Sequence, residues 1–167
     1  MGEAGILQEK GIELINGEII EMSPIGSQQV SCVNKLNALL NTLLGKNAIV
    51  SVQNPIITSD LSEPEPDISI LVYREDYYAE EIPKSKDVLL VIEVADTSVE
   101  YDREIKLPQY AESGIPEFWL VNLKNNVIEV YWQPTGYDYK SRELMRYGDV
   151  LEAREVKLNI AVSEVLA

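Results

Sequence analysis

The chain has no histidine among its 167 residues. That absence removes Ser-His-Asp and Cys-His catalysis, imidazole metal ligands and histidine general bases together. Any acid–base or metal chemistry must then use carboxylates, lysines, tyrosines or bound water. Cysteine is almost absent. Cys32 stands alone, which excludes an intramolecular disulfide and a multi-cysteine zinc site. A lone cysteine fits a reducing cytoplasm, and a cytoplasmic location is expected. Cys32 lies in an apolar helical pattern and is expected to be a small core residue. No apolar run approaches the roughly 18 residues of a membrane span, so no membrane association is expected. The N-terminal MGEAGILQEKG lacks the basic-then-apolar layout of a secretory signal. Ile6 stands where a myristoylation signal carries Ser or Thr. Positive charge is scarce as well: 14 Lys and Arg against 28 Asp and Glu leave a net charge of −14. Such a chain repels a nucleic-acid backbone over its surface as a whole. A DNA function would need a locally positive face, a metal ion or a basic partner.

What is present has the length of one domain, residues 1–167, with enough apolar content for a real core. GIELINGEIIEMSP reads as a hairpin about Asn16-Gly17, ended by Pro24 and Gly26. QQVSCVNKLNALLNTLL is the clearest helix, with Val30, Val33, Leu36, Leu40 and Leu43 at helical spacing and Gly45 closing it. Strands are expected over residues 47–58, 67–73 and 88–95. The last of these, VLLVIEVA, is apolar on both faces apart from Glu93. A second helix follows, capped at Thr97 or Ser98 and stopped by Gly114 and Pro116. Pro108 falls inside it and predicts a kink or a late start. EFWLVNL and VIEVYWQ form another hairpin, and the last twenty or so residues suggest a short strand pair and a helical turn. A sheet with helices packed on it is the economical arrangement, an α/β fold.

Three positions carry chemistry. Asp67 opens a strand directly after Pro66, Glu93 interrupts the most buried strand, and Lys106 lies on the helix that follows it. A buried carboxylate is normally neutralised, paired or bound to a cation. A metal site answers that need: carboxylate oxygens, backbone carbonyls and waters form the shell Mg²⁺ prefers. A nearby lysine can orient an attacking water and offset developing charge.

ELINGEIIEMSPIG, PDISILV, LLVIEVADTS, DREIKLPQYAESGIPEFWLVN and VIEVY together resemble the Uma family of putative restriction endonucleases, within the PD-(D/E)XK nuclease superfamily. The resemblance runs from about Ile12 to Trp132. It implies a restriction-endonuclease-like core: a central mixed β-sheet flanked by helices, with the N-terminal β-hairpin. It also implies a Mg²⁺- or Mn²⁺-dependent deoxyribonuclease that cuts DNA with a metal-activated water. By resemblance Asp67 and Glu93 are metal ligands, the backbone carbonyl of Val94 is a third donor, and Glu13 and Glu18 add carboxylates. The usual lysine would fall at Ala95; in this chain Lys106 would replace it from the next helix. Relatives often carry a histidine where this chain has Gln29. They often form dimers, so a homodimer is a possible assembly.

Each assignment has a plainer reading. Asp67 would organise a loop, and Glu93 would pair with a buried cation for structure alone. Lys106 would pair with Asp102, one turn back, as an exposed helix ion pair. Glu13 and Glu18 alternate with apolar neighbours, as solvent-facing strand residues do. Tyr77, Tyr78, Trp119, Tyr131 and Trp132 would pack the core or a sheet face rather than stack on bases. At the level of the whole chain, the alternative is a non-catalytic nuclease-fold module that binds or assembles with a basic DNA-binding protein. A less favoured alternative is an acidic mimic of a DNA surface.

Overall fold

The computed structural model describes residues 11–21 and 25–166. The N-terminal signals weighed above and the Pro24 end of the hairpin lie outside the described residues. The hairpin comes first: β1 (Ile12–Ile15) and β2 (Glu18–Glu21) pair antiparallel. Asn16 and Gly17 take φ of 50° and 82° at its turn, the left-handed pair that matches strand twist in two-residue loops. Helix α1 (Ser27–Leu44) buries Cys32, Val33, Leu36, Leu40 and Leu44 along one face. Gly45, at φ 53°, donates its N–H to the Asn41 carbonyl and closes the helix.

Six strands form the main sheet in the order β3-β4-β5-β6-β7-β8. They are β3 (Ala48–Val52), β4 (Ile68–Val72), β5 (Val88–Ala95), β6 (Glu117–Asn122), β7 (Val127–Thr135) and β8 (Asp138–Met145). Only the β5–β6 pairing is parallel. The crossover between those two strands carries the second helix, as a parallel pairing requires. β3 is shorter than the expected 47–58 strand: Gln53 turns to φ 53°, and Pro55 has no N–H to offer a ladder. β8 is a strand that sequence periodicity does not announce, because it is largely exposed at the sheet edge.

The second helix is built in three consecutive pieces: α2 (Val99–Tyr101), a π-helical segment Asp102–Lys106, and α3 (Leu107–Glu112). Leu107 donates its N–H to the Asp102 carbonyl, the wide-turn bond. The expected disturbance at Pro108 therefore takes the form of a wide turn. Its ring would crowd the carbonyl of Glu104 in a regular helix, and it has no N–H to give. The chain ends with β9 (Val150–Glu152) paired to β10 (Asn159–Ala161), then α4 (Val162–Leu166).

Alternation along β5 sorts the two sheet faces. Leu90, Ile92 and Val94 pack with α1 and the C-terminal segment. Val91 and Ala95 face the layer that includes Val99, Leu107, Tyr110 and Ala111. Glu93 has the parity of the second set, so it points at the 99–112 helix. Trp119 and Tyr131 are buried core residues, and Trp132 lies partly buried with the Arg154 guanidinium 3.7 Å from its ring centroid. Tyr77 differs from expectation: it is 60% exposed.

Candidate active site

The site is assembled where β4 begins and β5 ends. Just beyond the last β4–β5 pair, Ile68 with Ile92, the two strands exchange side-chain-to-backbone bonds. The Asp67 N–H donates to Glu93 Oε1 at 3.1 Å, and the Val94 N–H donates to Asp67 Oδ2 at 2.8 Å. Two carboxylates are thereby fixed side by side. The expected third donor, the Val94 carbonyl, lies in the same place and accepts from Gln29 Nε2 at 3.1 Å.

Lys106 settles which acid it serves. Its Nζ lies 3.0 Å from Glu93 Oε2 and 2.6 Å from Glu13 Oε1, and the residue is 1% exposed. Asp102 instead accepts from the Ser98 hydroxyl at 3.3 Å, so the exposed one-turn ion pair is not what forms. Tyr110, one turn beyond Lys106, donates its hydroxyl to Glu93 Oε2 at 2.6 Å. Glu13 reaches the cluster because the 59–66 loop is stitched to β1. Leu14 and Glu63 exchange backbone bonds, and the Glu65 N–H donates to Glu13 Oε1 at 2.8 Å. Glu13 Oε2 is buried without a partner. Glu18 stands apart from this group, exposed at the start of β2.

Electrostatics follow from four acids gathered about one lysine. Burial, with Glu93 adding to it, pushes the Asp67 carboxyl up to about 7 against the Val94 N–H and Lys106. Burial and then Glu93 push Asp102 up to about 8, with Lys106 opposing. Burial works against the charge on Lys106, but the acids around it, Glu93 foremost, hold it well above the ordinary lysine value. Burial, then Glu93, keeps the Tyr110 phenol protonated far above its usual range, so it remains a hydrogen-bond donor.

Among the described residues no three or more acidic, cysteine or histidine side chains form a ready metal cage. Asp67 and Glu93 with the Val94 carbonyl do fit Mg²⁺ or Mn²⁺, which take one or two carboxylates and fill the rest with water and substrate oxygens. The donor chemistry favours a fit: hard carboxylate and carbonyl oxygens are brought together where β4 begins and β5 ends. Glu13 Oε1 is taken by Lys106 and the Glu65 N–H, while its Oε2 is buried without a partner.

The match to the family model called Uma2, described as "Putative restriction endonuclease", covers residues 6–163. The chain belongs to the Uma2 family. A similar fold is seen in a crystal structure described as that of a putative nuclease belonging to DUF820 from Anabaena variabilis. It aligns with a TM-score of 0.74 at 15% identity, over 93% of this chain and 89% of that one. At that identity the likeness is one of fold. No curated protein matches the chain. Membership of Uma2 supports a nuclease function in general terms.

Sequence reading did not single out Tyr110 or Gln53 as site residues. Tyr110 had a legible signal, the one-turn spacing from Lys106 on a buried helix face. Gln53, whose side chain bonds Asp67, reaches it through a positive-φ turn that no pattern announced.

Proposed function

We propose that this protein is a Mg²⁺- or Mn²⁺-dependent DNA endonuclease, with Asp67, Glu93 and the Val94 carbonyl as metal donors and Lys106 as the charge-stabilising catalytic group. One observation carries the reading: two carboxylates sit side by side at the β4–β5 junction with a buried ammonium bonded to one of them. A divalent ion, when bound, supplies Lewis acidity toward a phosphoryl oxygen and makes water nucleophilic near neutral pH.

The chain's own groups do the positioning. The Asp67 N–H orients Glu93 Oε1, and the Val94 N–H orients Asp67 Oδ2. Near neutral pH the Asp67 carboxyl holds a proton part of the time, and cation binding displaces it. Lys106 directs two of its three protons to Glu13 and Glu93. The third has only a long 3.4 Å contact to the Tyr110 hydroxyl, and it is the one available to a phosphoryl oxygen that gains charge in the transition state. DNA as substrate rests on the family.

A second reading has its own observation. Both Glu93 oxygens already accept hydrogen bonds, and Glu13 and Lys106 are each 1% exposed. A cluster satisfied this way suits a non-catalytic nuclease-fold module. Two measurements decide between them. Purified protein is assayed on supercoiled plasmid with Mg²⁺ or Mn²⁺, and the ions are titrated calorimetrically. The nuclease reading expects metal-dependent nicking or linearisation, lost in Glu93→Gln. Equal cutting by both proteins, or no cutting with either ion, sinks the catalytic assignment. Absence of ion binding at the wild-type site selects the module.

A further inference from the structure

The six-stranded sheet ends at β3, whose only ladder partner in that sheet is β4. A groove of about 700 Å³ surrounds that edge. Its lining includes Asn37 of α1, Val50 of β3, Leu71 of β4, and the chain from Tyr77 to Pro83.

The wall opposite β3 is held in an expensive conformation. Tyr77 and Tyr78 have φ of 54° and 60°, a region that costs a bulky residue on the order of 1–3 kcal/mol. Tyr78 is fixed there: its hydroxyl donates to the Val72 carbonyl, its N–H donates to Asp76, and the Arg74 guanidinium lies 4.5 Å from its ring centroid. Tyr77 is left exposed at the groove. Strain that persists beside an open, aromatic-lined edge points to recognition rather than to stability.

Charge selects the occupant. The segment REDYYAEE (74–81) carries one arginine and four carboxylates, and Arg74 is committed to Asp76 and Glu81. Glu80 and Glu81 line the groove, and no cationic side chain does. A nucleic-acid backbone would be repelled, and so would a second copy carrying −14. An extended chain bearing Lys or Arg would be attracted, and unpaired strand edges accept such chains by main-chain pairing.

We propose that β3 is a docking edge for an extended, basic segment of a partner protein, which adds to the sheet as a further strand with its cationic side chains toward Glu80 and Glu81. The edge runs into the acidic site, since the Gln53 N–H just past β3 donates to the Asp67 carbonyl at 3.0 Å. A basic partner seated there would supply, beside the carboxylates, the positive surface this chain lacks. The inference concerns binding and stands whether or not the protein cuts DNA.

The test uses full-length protein and a capped octapeptide alternating valine and lysine, at about 150 mM salt to suppress diffuse attraction. Amide exchange is read by NMR. The expected result is protection rising at least about tenfold at alternate β3 amides, with shifts along 77–83. Affinity should fall about tenfold or more in Glu80→Lys or Tyr77→Ala, and a valine–glutamate peptide should not bind. The proposal is overturned if shifts scatter over the acidic surface without protection in β3, or if both variants bind as wild type does. It is equally overturned if β3 amides are protected by self-association or by a single-stranded oligonucleotide in place of the peptide.

Discussion

Removing the ammonium of Lys106 would leave Glu13 and Glu93 facing each other in a space where each residue is under 5% exposed. A buried charge deprived of its partner costs roughly 3–5 kcal/mol, because the desolvation already incurred is no longer offset. Lys106→Met is therefore expected to lower unfolding stability by that order in urea denaturation. Replacing both glutamates by glutamine in the same protein should restore most of the loss, since neutral amides tolerate the missing cation. A Lys106→Met protein as stable as wild type would mean that the lysine does not carry the charge of this cluster. The same logic bears on why the members of this cluster could be picked out as candidates from sequence. Glu93 is a charge set in an apolar strand and needs a partner. Asp67 is marked instead by a strand start after proline, Lys106 by its place on the following helix, and both by the family resemblance. Glu13 was visible as a candidate only through the family resemblance, because its own pattern is that of an alternating strand residue and the Leu14–Glu63 stitching that carries it inward joins distant parts of the chain.

At the level of elements, the π-helical segment aims Lys106. Arg103, within the same segment, donates from Nε and Nη2 to the buried Glu129 of β7, and Tyr131 and Asn122 donate to that carboxylate too. The wide turn is thus held from the sheet side by this clamp and from the chain side by Pro108. Pro108→Ala removes the steric reason for the wide turn and returns an N–H donor to the backbone. The helix is then expected to tighten and swing the Lys106 side chain off Glu93. On the proposed nuclease reading cleavage should fall at least about tenfold. Stability should fall by part of the roughly 3–5 kcal/mol that a buried Glu93 without its cation costs, offset in part by the better helix former. Unchanged cleavage would show that the wide turn does not set the lysine's position. Elements specified by local signals were legible: the Asn16-Gly17 hairpin, the α1 stripe and the apolar β5. β8 was not, because its DYKSRELM carries little apolar alternation and its register comes from β7. The π segment depends on Pro108 just beyond it and on a tertiary clamp, and the sequence pattern shows only the proline.

On the scale of the whole molecule, the acid excess and the raised carboxyls make stability fall as pH rises. Burial, with Glu93 adding to it, pushes the Asp67 carboxyl up to about 7 and the Asp102 carboxyl up to about 8 in the folded chain, against about 4 for a free carboxylate. Between about pH 4 and pH 8 the folded state therefore binds more protons than the unfolded one. Stability from these groups is fully present below pH 4 and is lost as pH climbs through their folded values. Each proton contributes a slope of about 1.4 kcal/mol per pH unit within its window. Glu129 works in the opposite sense, its carboxyl lowered by Arg103 and Tyr131 against burial, so its contribution is lost toward acid. General repulsion among −14 charges also grows with pH, so the slope alone does not identify the site. Glu93→Gln does. Glu93 is the second cause raising both Asp67 and Asp102, so its neutralisation should move the loss of stability to lower pH. Surface repulsion, by contrast, would barely change. On the proposed metal reading, saturating Mg²⁺ should flatten the wild-type profile above pH 7, because an ion held by the ionised carboxylates would stabilise the folded state, and should do so weakly or not at all in the variant. Urea midpoints from pH 5 to pH 8.5, with and without Mg²⁺, measure both effects. A wild-type profile rising across that range without the ion, or one identical in Glu93→Gln, would show that the paired carboxylates of β4 and β5 are not the coupled acids described here.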